Sequence, residues 1–296
     1  MLEVTPISSL LKFRTPVTLP YWLGSAFRGG VGIQLRESCC VYPQLSCDEC
    51  STHCVYYDLY ERKRQKKGYA PPPKPIVFVP PFFGRQFMLK EGSTLKLGML
   101  FFGEYVRYLP HIIFALTKLG NKGIGSGRCY GLNQFDVSDI MSYEGESVYK
   151  DGVVDMESVK SVEISELEPL DVGGSMLVKF RTPIVIKQGG FPPSLQKLTQ
   201  MIKQRLILYV NEYGEGRIDS EFECEAEVVL SKPHFHVLRS VSSRSGKRSF
   251  YTYTGEVVYR VNTIDEKAKW LLSVGSLIGA GPKSSFGFGF FDITLL

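Results

Sequence analysis

Residues 10–19 read LLKFRTPVTL and residues 177–186 read LVKFRTPIVI. Lys12, Phe13, Arg14, Thr15 and Pro16 return in the same order as Lys179, Phe180, Arg181, Thr182 and Pro183. A second match closes each half. Gly123-Ile-Gly125, Gly131 and Phe135-Asp136-Val137 answer Gly279-Ala-Gly281, Gly287 and Phe291-Asp292-Ile293 at the same spacing. Matching openings with matching endings read as two related domains in tandem.

Working outward from the repeat, each KFRTP window alternates around β-branched and apolar residues and reads as a strand. A helix candidate follows each: Tyr21 to Leu35, and Pro193 to Tyr209, where Leu195, Leu198, Ile202 and Leu206 recur at helical spacing. Middle strands come next, PIVFVPP and STLKLGMLFFG in the first half, EFECEAEVVL and SFYTYTGEVVYRV in the second. A second helix is expected over Tyr108–Leu119 and over Asp265–Leu277, and a final strand closes each half. That order, β-α-β-β-α-β, is the ferredoxin-like plan. The expected fold class is α+β, with duplicated domains over 1–150 and 151–296 and a Cys-rich insertion over about 39–75. Lys63–Pro81 reads as a Pro-rich connection and the acidic Tyr143–Asp171 stretch as the link between domains, although SVEISEL within it alternates like a strand.

The chain has 296 residues, 44% hydrophobic and 22% charged, which excludes a mainly disordered chain. It is long enough for two cores without disulfide staples. No apolar run reaches the ~18–20 residues that cross a bilayer, and the start lacks the charged-then-apolar order of a secretion signal. A soluble, cytoplasmic protein without membrane partners is expected. The net charge of +5 is mild, but its distribution is uneven. Arg62, Lys63, Arg64, Lys66 and Lys67 form one basic run; Lys232, Arg239, Arg244, Lys247 and Arg248 form another with no acid between them; the acids gather between Asp151 and Asp171. Such separation suits a polyanion-binding face as well as two solvated stretches.

Four features carry chemistry. Gly279-Ala-Gly281-Pro-Lys283-Ser284-Ser285-Phe-Gly287-Phe-Gly289 combines turn-permitting glycines with Lys and Ser donors suited to a phosphate. It is neither a Walker loop nor a dinucleotide fingerprint, since it follows a helix and enters a strand; the alternative is a helix cap followed by close packing. Arg239-Ser-Val-Ser-Ser243-Arg244-Ser-Gly-Lys247-Arg248 reads as a basic hairpin tip. Its cations, with Lys232, would contact phosphates, and Tyr251 and Tyr253 would stack on bases; a polar loop without a ligand is the other reading. Cys39, Cys40, Cys47, Cys50 and Cys54 fall within sixteen residues. Cys47, Cys50, Cys54 and one of the Cys39/Cys40 pair, or His53 in place of one, would make a structural zinc site; iron–sulfur and unligated thiols are the alternatives. His234 and His236 share one side of an extended segment beside the basic hairpin. They would serve as acid and base in cleaving RNA, or would contact RNA or pack under the hairpin.

Together these pieces resemble the CRISPR precursor-RNA processing endoribonucleases of the RAMP superfamily. The residues that carry the resemblance are Phe13-Arg-Thr-Pro-Val-Thr-Leu-Pro, Gly24-Ser-Ala-Phe-Arg28-Gly-Gly-Val-Gly32, the Cys47-x-x-Cys50 cluster ending in Cys54-Val-Tyr56, which is similar to the cysteine segment of one branch, Leu119–Gly125, Arg239–Arg248 and, most specific, the Gly279–Gly289 loop. The resemblance implies repeat RNA bound across two ferredoxin-like domains, with Gly279, Gly281, Lys283, Ser284, Ser285 and Gly287 contacting RNA and the hairpin holding the repeat stem. It implies cleavage without a metal or other cofactor, by attack of the 2′-hydroxyl on the adjacent phosphate, leaving a 2′,3′-cyclic phosphate and a 5′-hydroxyl. The product crRNA would pass to an interference complex whose subunits are partners. There is one departure: many members place a catalytic His on or near the first helix, and Tyr21–Leu35 holds Tyr21 and Arg28 but no His or Lys. The catalytic candidates are therefore His234, His236, Tyr21 and Arg28, with His53 a further reach. Two competing functions remain: a non-catalytic RAMP subunit that holds guide RNA, and a nucleic-acid-binding protein outside CRISPR with a structural zinc.

Overall fold

A computed structural model describes residues 1–50, 54–62, 72–187, 190–218, 221–242 and 246–296. The chain divides into two compact units, Glu3–Ser161, and Met1–Leu2 together with Val162–Leu296. Among the described residues no helix is long and apolar enough to cross a membrane.

The first unit contains strands β1 (Glu3–Phe13), β2 (Val17–Leu19), β3 (Ile76–Val79), β4 (Phe87–Leu89), β5 (Thr94–Phe102), β6 (Phe135–Met141), β7 (Ser147–Lys150) and β8 (Val153–Val154), with helices α1 (Gly24–Cys39) and α2 (Leu109–Lys122). The main sheet runs β3-β5-β1-β6-β7-β8, and β2 pairs with β4 separately. Omitting β2 and β4, the order β1-α1-β3-β5-α2-β6 with β1 central is the ferredoxin-like arrangement. Helix α1 buries Phe27, Val31 and Leu35 at helical spacing, and α2 buries Ile112, Ile113, Leu116 and Leu119. Helix α1 starts at Gly24 rather than the expected Tyr21 because the Tyr21 carbonyl accepts from the Phe83 amide at 3.3 Å, outside any helical ladder. Strands β7 and β8, taken from the acidic stretch read as a link, extend this unit's sheet, so the division falls at Ser161/Val162 rather than at 150/151.

The second unit opens with β9 (Val162–Glu163) and continues with β10 (Ser175–Ile184), α3 (Leu195–Tyr213), β11 (Cys224–Ser242), β12 (Gly246–Ile264), α4 (Glu266–Ile278) and β13 (Phe291–Leu295). Its antiparallel sheet runs β11-β12-β10-β13, again the ferredoxin-like order. Both helices start on a capping side chain: the Ser194 hydroxyl accepts from the Lys197 amide, and the Asp265 carboxylate from the Ala268 amide. Leu195, Leu198, Ile202, Leu206 and Tyr209 of α3, with Ala268, Leu271 and Leu272 of α4, form the buried side over the sheet.

The repeated motif does the same work in each unit. Phe13 packs on Phe135 at 5.9 Å and Phe180 on Phe291 at 5.7 Å. Arg14 pairs with Asp136 at 3.2 Å and Arg181 with Asp292 at 2.9 Å. The Thr15 hydroxyl accepts from the Gln134 amide at 3.0 Å and the Thr182 hydroxyl from the Phe290 amide at 2.9 Å. The Pro16 carbonyl accepts from Asn133 N at 3.2 Å and the Pro183 carbonyl from Gly289 N at 2.9 Å. Asn133 and Gly289 both adopt positive φ, 61° and 82°, a conformation that Asn and Gly tolerate best. KFRTP is thus the first strand's half of a latch whose other half is the closing strand and the glycine loop before it.

Candidate nucleic-acid interface

Strands β11 and β12 pair along the whole length of each, from Cys224↔Ile264 to Ser242↔Gly246, with bulges at Glu225/Ala226 and Val228/Leu230. Strand β10 pairs with β12 only from Arg260 to Tyr253. Beyond Tyr253 the hairpin is a two-stranded ribbon, which alone is marginal in water. One face supplies its anchor: Leu238 and Phe250 are buried, and Phe250 packs on Phe286 and Phe288 of the glycine loop at 5.3 and 5.5 Å.

Register sorts the functional candidates onto the two faces, because directly opposed residues of an antiparallel pair point the same way. His234, His236 and Arg248 (opposite Ser240) share the face of Leu238 and Phe250. Phe235, Val237, Arg239 (opposite Ser249) and Lys247 (opposite Val241) share the other with Tyr251 and Tyr253. Lys232, opposite Glu256, lies nearer the start of the ribbon. His234, Arg239, Lys247 and Arg248 are exposed, and no ion pair joins any of them to a described residue. His236 is half-buried and hydrogen-bonds through Nε2 to the Thr254 hydroxyl at 2.8 Å. Burial, helped by the neighbouring His234, lowers its pKa, which favours the neutral ring. Ser243 and Arg244 lie outside the described residues, as do His53, Lys63, Arg64, Lys66 and Lys67.

The glycine loop is shaped from beneath by a residue that no motif in the sequence singles out. Arg205 of α3 is only 2% exposed. Its guanidinium donates to four carbonyls: Ile278 at 2.8 Å, Ala280 at 2.6 Å, Gly281 at 2.7 Å and Phe288 at 2.8 Å. Burial lowers its pKa to about 10, so it stays charged near neutrality. Gly279 and Gly289 are buried against it: a Cβ at Gly279 would meet the guanidinium at 2.5 Å, and one at Gly289 the Ala280 carbonyl at 2.0 Å. Gly281 is half-exposed, and Gly287 is buried with positive φ. The loop presents Lys283, exposed at a left-handed φ of 67°, and beside it Ser284 and Ser285. The Ser284 hydroxyl is bonded to the Tyr209 hydroxyl at 2.9 Å. A signal for Arg205 existed, since it lies in the apolar stripe of α3 between Ile202 and Tyr209.

In the first unit the corresponding loop is braced by Asn133, fully buried, whose side chain bonds Thr18 N at 2.7 Å, Thr18 O at 2.9 Å and Ile124 O at 2.8 Å. Tyr21 precedes α1, and Arg28 lies on it with its carbonyl accepting from the Tyr60 hydroxyl at 3.0 Å. These two belong to a different unit from His234 and His236.

The zinc reading of the cysteines is not supported. Among the described residues no three or more His, Cys, Asp or Glu side chains are gathered to hold a metal ion, so zinc at Cys39, Cys47, Cys50 and Cys54 finds no support. Cys39 ends α1 and hydrogen-bonds with Cys54. Burial, with Cys54 and Cys40 close by, pushes the Cys39 thiol up to about 11, and burial raises that of Cys47 too.

With this geometry established, comparison with known proteins places the chain. The AF_1859 N-terminal domain matches residues 2–163 and the AF_1859 C-terminal domain residues 176–293. An uncharacterized protein of Archaeoglobus fulgidus is 42% identical over 294 residues, covering 99% of this chain and 98% of that one. The chain belongs to the AF_1859 family. Solved structures extend the likeness to fold. A Cas6 product complex shares it at a TM-score of 0.56 and 16% identity, over 98% of this chain and 100% of that one. Thermus thermophilus Cas6 does so at 0.53 and 14%, over 99% of each chain. A partial Cas6-RT-Cas1–Cas2 complex gives 0.57 and 11%, over 99% of this chain and 46% of that one. The AF_1859 chain therefore has the tandem ferredoxin-like fold of Cas6 proteins.

Proposed function

We propose that this protein binds CRISPR repeat RNA and cuts it within the repeat. The observation that carries the reading is the ribbon. Between Lys232 and Gly255 there is no acidic residue, and Arg239, Lys247 and Arg248 stand exposed with no acidic partner among the described residues, on a fold shared with Cas6 structures. Unneutralised cations in solvent suit a polyphosphate chain, whose binding releases counterions.

The proposed chemistry needs no metal. A base takes the proton of the 2′-hydroxyl, the resulting oxygen attacks the adjacent phosphorus, the bond to the 5′-oxygen breaks, and an acid protonates that leaving oxygen. A 2′,3′-cyclic phosphate and a 5′-hydroxyl result. His236, kept neutral by its burial, is suited to the first proton. His234, exposed two residues earlier on the same face, is suited to the second. Arg248 shares that face and would stabilise charge on the phosphorane. Tyr21 and Arg28 are the second candidate set. Lys283, Ser284 and Ser285 would hold the repeat backbone. Partners in this reading are crRNA and subunits of a CRISPR complex, by analogy with the neighbour found in a Cas6-RT-Cas1–Cas2 complex.

Two observations favour a second reading, a RAMP subunit that binds RNA without cutting: α1 carries no His and the His236 ring is engaged by Thr254. Labelled repeat RNA incubated with the protein in EDTA separates the two. One product ending in a cyclic phosphate, absent when the ribose at the cut is 2′-deoxy, supports cleavage, with His234→Ala and His236→Ala slowing it more than they weaken binding. Tight binding with intact RNA supports the subunit, and no RNA binding ends both.

A further inference from the structure

The outer face of the ribbon has a composition that its fold does not require. A half-buried hairpin normally turns polar residues to solvent. Here Phe235 is 55% exposed, Val237 41% and Tyr251 65%, directly behind the face that Phe250 anchors. The rings form a row. Phe191 stacks on Tyr253 at 5.6 Å, Tyr253 meets Phe235 at 5.3 Å, and Phe235 stacks on Tyr251 at 6.3 Å with 13° between planes. Past the row, toward the tip, Arg239 and Lys247 stand on the same face.

We infer that this row is a stacking strip for unpaired nucleobases of RNA, with Arg239 and Lys247 holding the phosphates of the same strand. The inference rests on the RNA-binding reading above and deepens it by assigning single-stranded nucleotides to this face. Flat rings offer π-faces to any base, and a cation within one or two pairs of positions can reach the connecting phosphate. A base-paired stem keeps its bases stacked on each other and offers such a row only its ends. Arg239 and Lys247, with no acidic partner among the described residues, favour a polyanion over a protein surface as occupant.

The test uses the full chain with a fluorescein-labelled unstructured oligoribonucleotide, an RNA duplex of equal length, and the repeat RNA. Phe235→Ala with Tyr251→Ala should weaken single-strand binding about tenfold or more, since each base stacked on an aromatic contributes substantially, and should leave duplex binding within about twofold. Phe235→Trp should preserve single-strand affinity, while Phe235→Leu, apolar but not aromatic, should not. Unchanged single-strand affinity in the double Ala variant, or full retention by Phe235→Leu, overturns the strip, the latter pointing to apolar docking of a protein. Wild-type protein that binds none of the three RNAs overturns the RNA-binding reading itself, and wild type that binds only duplex overturns the strip alone. The replaced rings are exposed, so circular dichroism should match wild type.

Discussion

Arg205→Met removes the guanidinium beneath the glycine loop while keeping most of the side-chain volume. Four carbonyls, those of Ile278, Ala280, Gly281 and Phe288, then lose their donors. Hydrogen bonds to a charged group contribute ~1.5–3 kcal/mol each, so a simple sum would approach the whole stability of a domain. The sum overstates the loss: the loop can relax, water can reach the half-exposed Gly281 end, and burying the guanidinium itself carries a cost. A loss of about 4 kcal/mol in the second unit is expected, the upper range for one substitution. Arg205→Lys should recover only part, because a single ammonium cannot span four acceptors in a fork. Urea unfolding followed by circular dichroism measures the difference. Hydrogen exchange at Ala280 and Gly289, whose amides are bonded to Gly289 O and Pro183 O, reports the loop directly. If Arg205→Met costs under ~1 kcal/mol with these amides still protected, the loop is held by its glycines and the account of Arg205 is wrong.

Other outcomes follow from the same geometry. Asn133→Ala should cost about 3 kcal/mol in the first unit, through three lost bonds and a non-glycine residue held at positive φ, while Asn133→Gly should cost less; equal urea midpoints for the two variants would contradict this. Replacing Arg239, Lys247 and Arg248 by Ala should reduce the slope of log affinity for repeat RNA against log salt by about 2–3, because each phosphate contact releases counterions. A slope identical to wild type removes the ribbon from the interface. His236 has a folded pKa below its ordinary value of 6.5, so the unfolded chain takes up the proton first. Stability should therefore fall as pH drops through that value and level off below the folded pKa. His236→Gln, which can keep a bond to Thr254, should flatten the curve between about pH 7 and 5, and parallel curves for variant and wild type would show that this histidine is not the cause.

The duplicated plan was legible because its signals are local. KFRTP carries strand periodicity, an inward Phe and an outward Arg, and the glycine spacing before Phe135 and Phe291 marks turns that need positive φ. The helices of the second unit were legible for the same reason, since Leu195, Leu198, Ile202 and Leu206 mark an apolar stripe at helical spacing, although α3 runs on to Tyr213, four residues past the expected end. The start of α1 was not, because it depends on a bond between Tyr21 and Phe83, sixty-two positions apart. The metal expectation gained no support, on similar grounds. Spacing in sequence shows that five cysteines lie near one another along the chain, but only the fold sets whether three or more ligands gather, and among the described residues none do.

By itself, then, the chain's order of residues determined two ferredoxin-like units, the repeated motifs that open and close each and the location of a basic hairpin, since each shows in periodicity, repetition or local turn residues. Only the tertiary structure decided what the candidates do together. Arg205 became the floor of the glycine loop because residues more than seventy positions away turn four carbonyls toward it. Hairpin register, with Ser240 opposite Arg248 and Val241 opposite Lys247, put the histidines and Arg248 on one face and the aromatic row, Arg239 and Lys247 on the other. A slip of one residue would exchange the faces of the two lysine-and-arginine neighbours, because strand side chains alternate with a period of two.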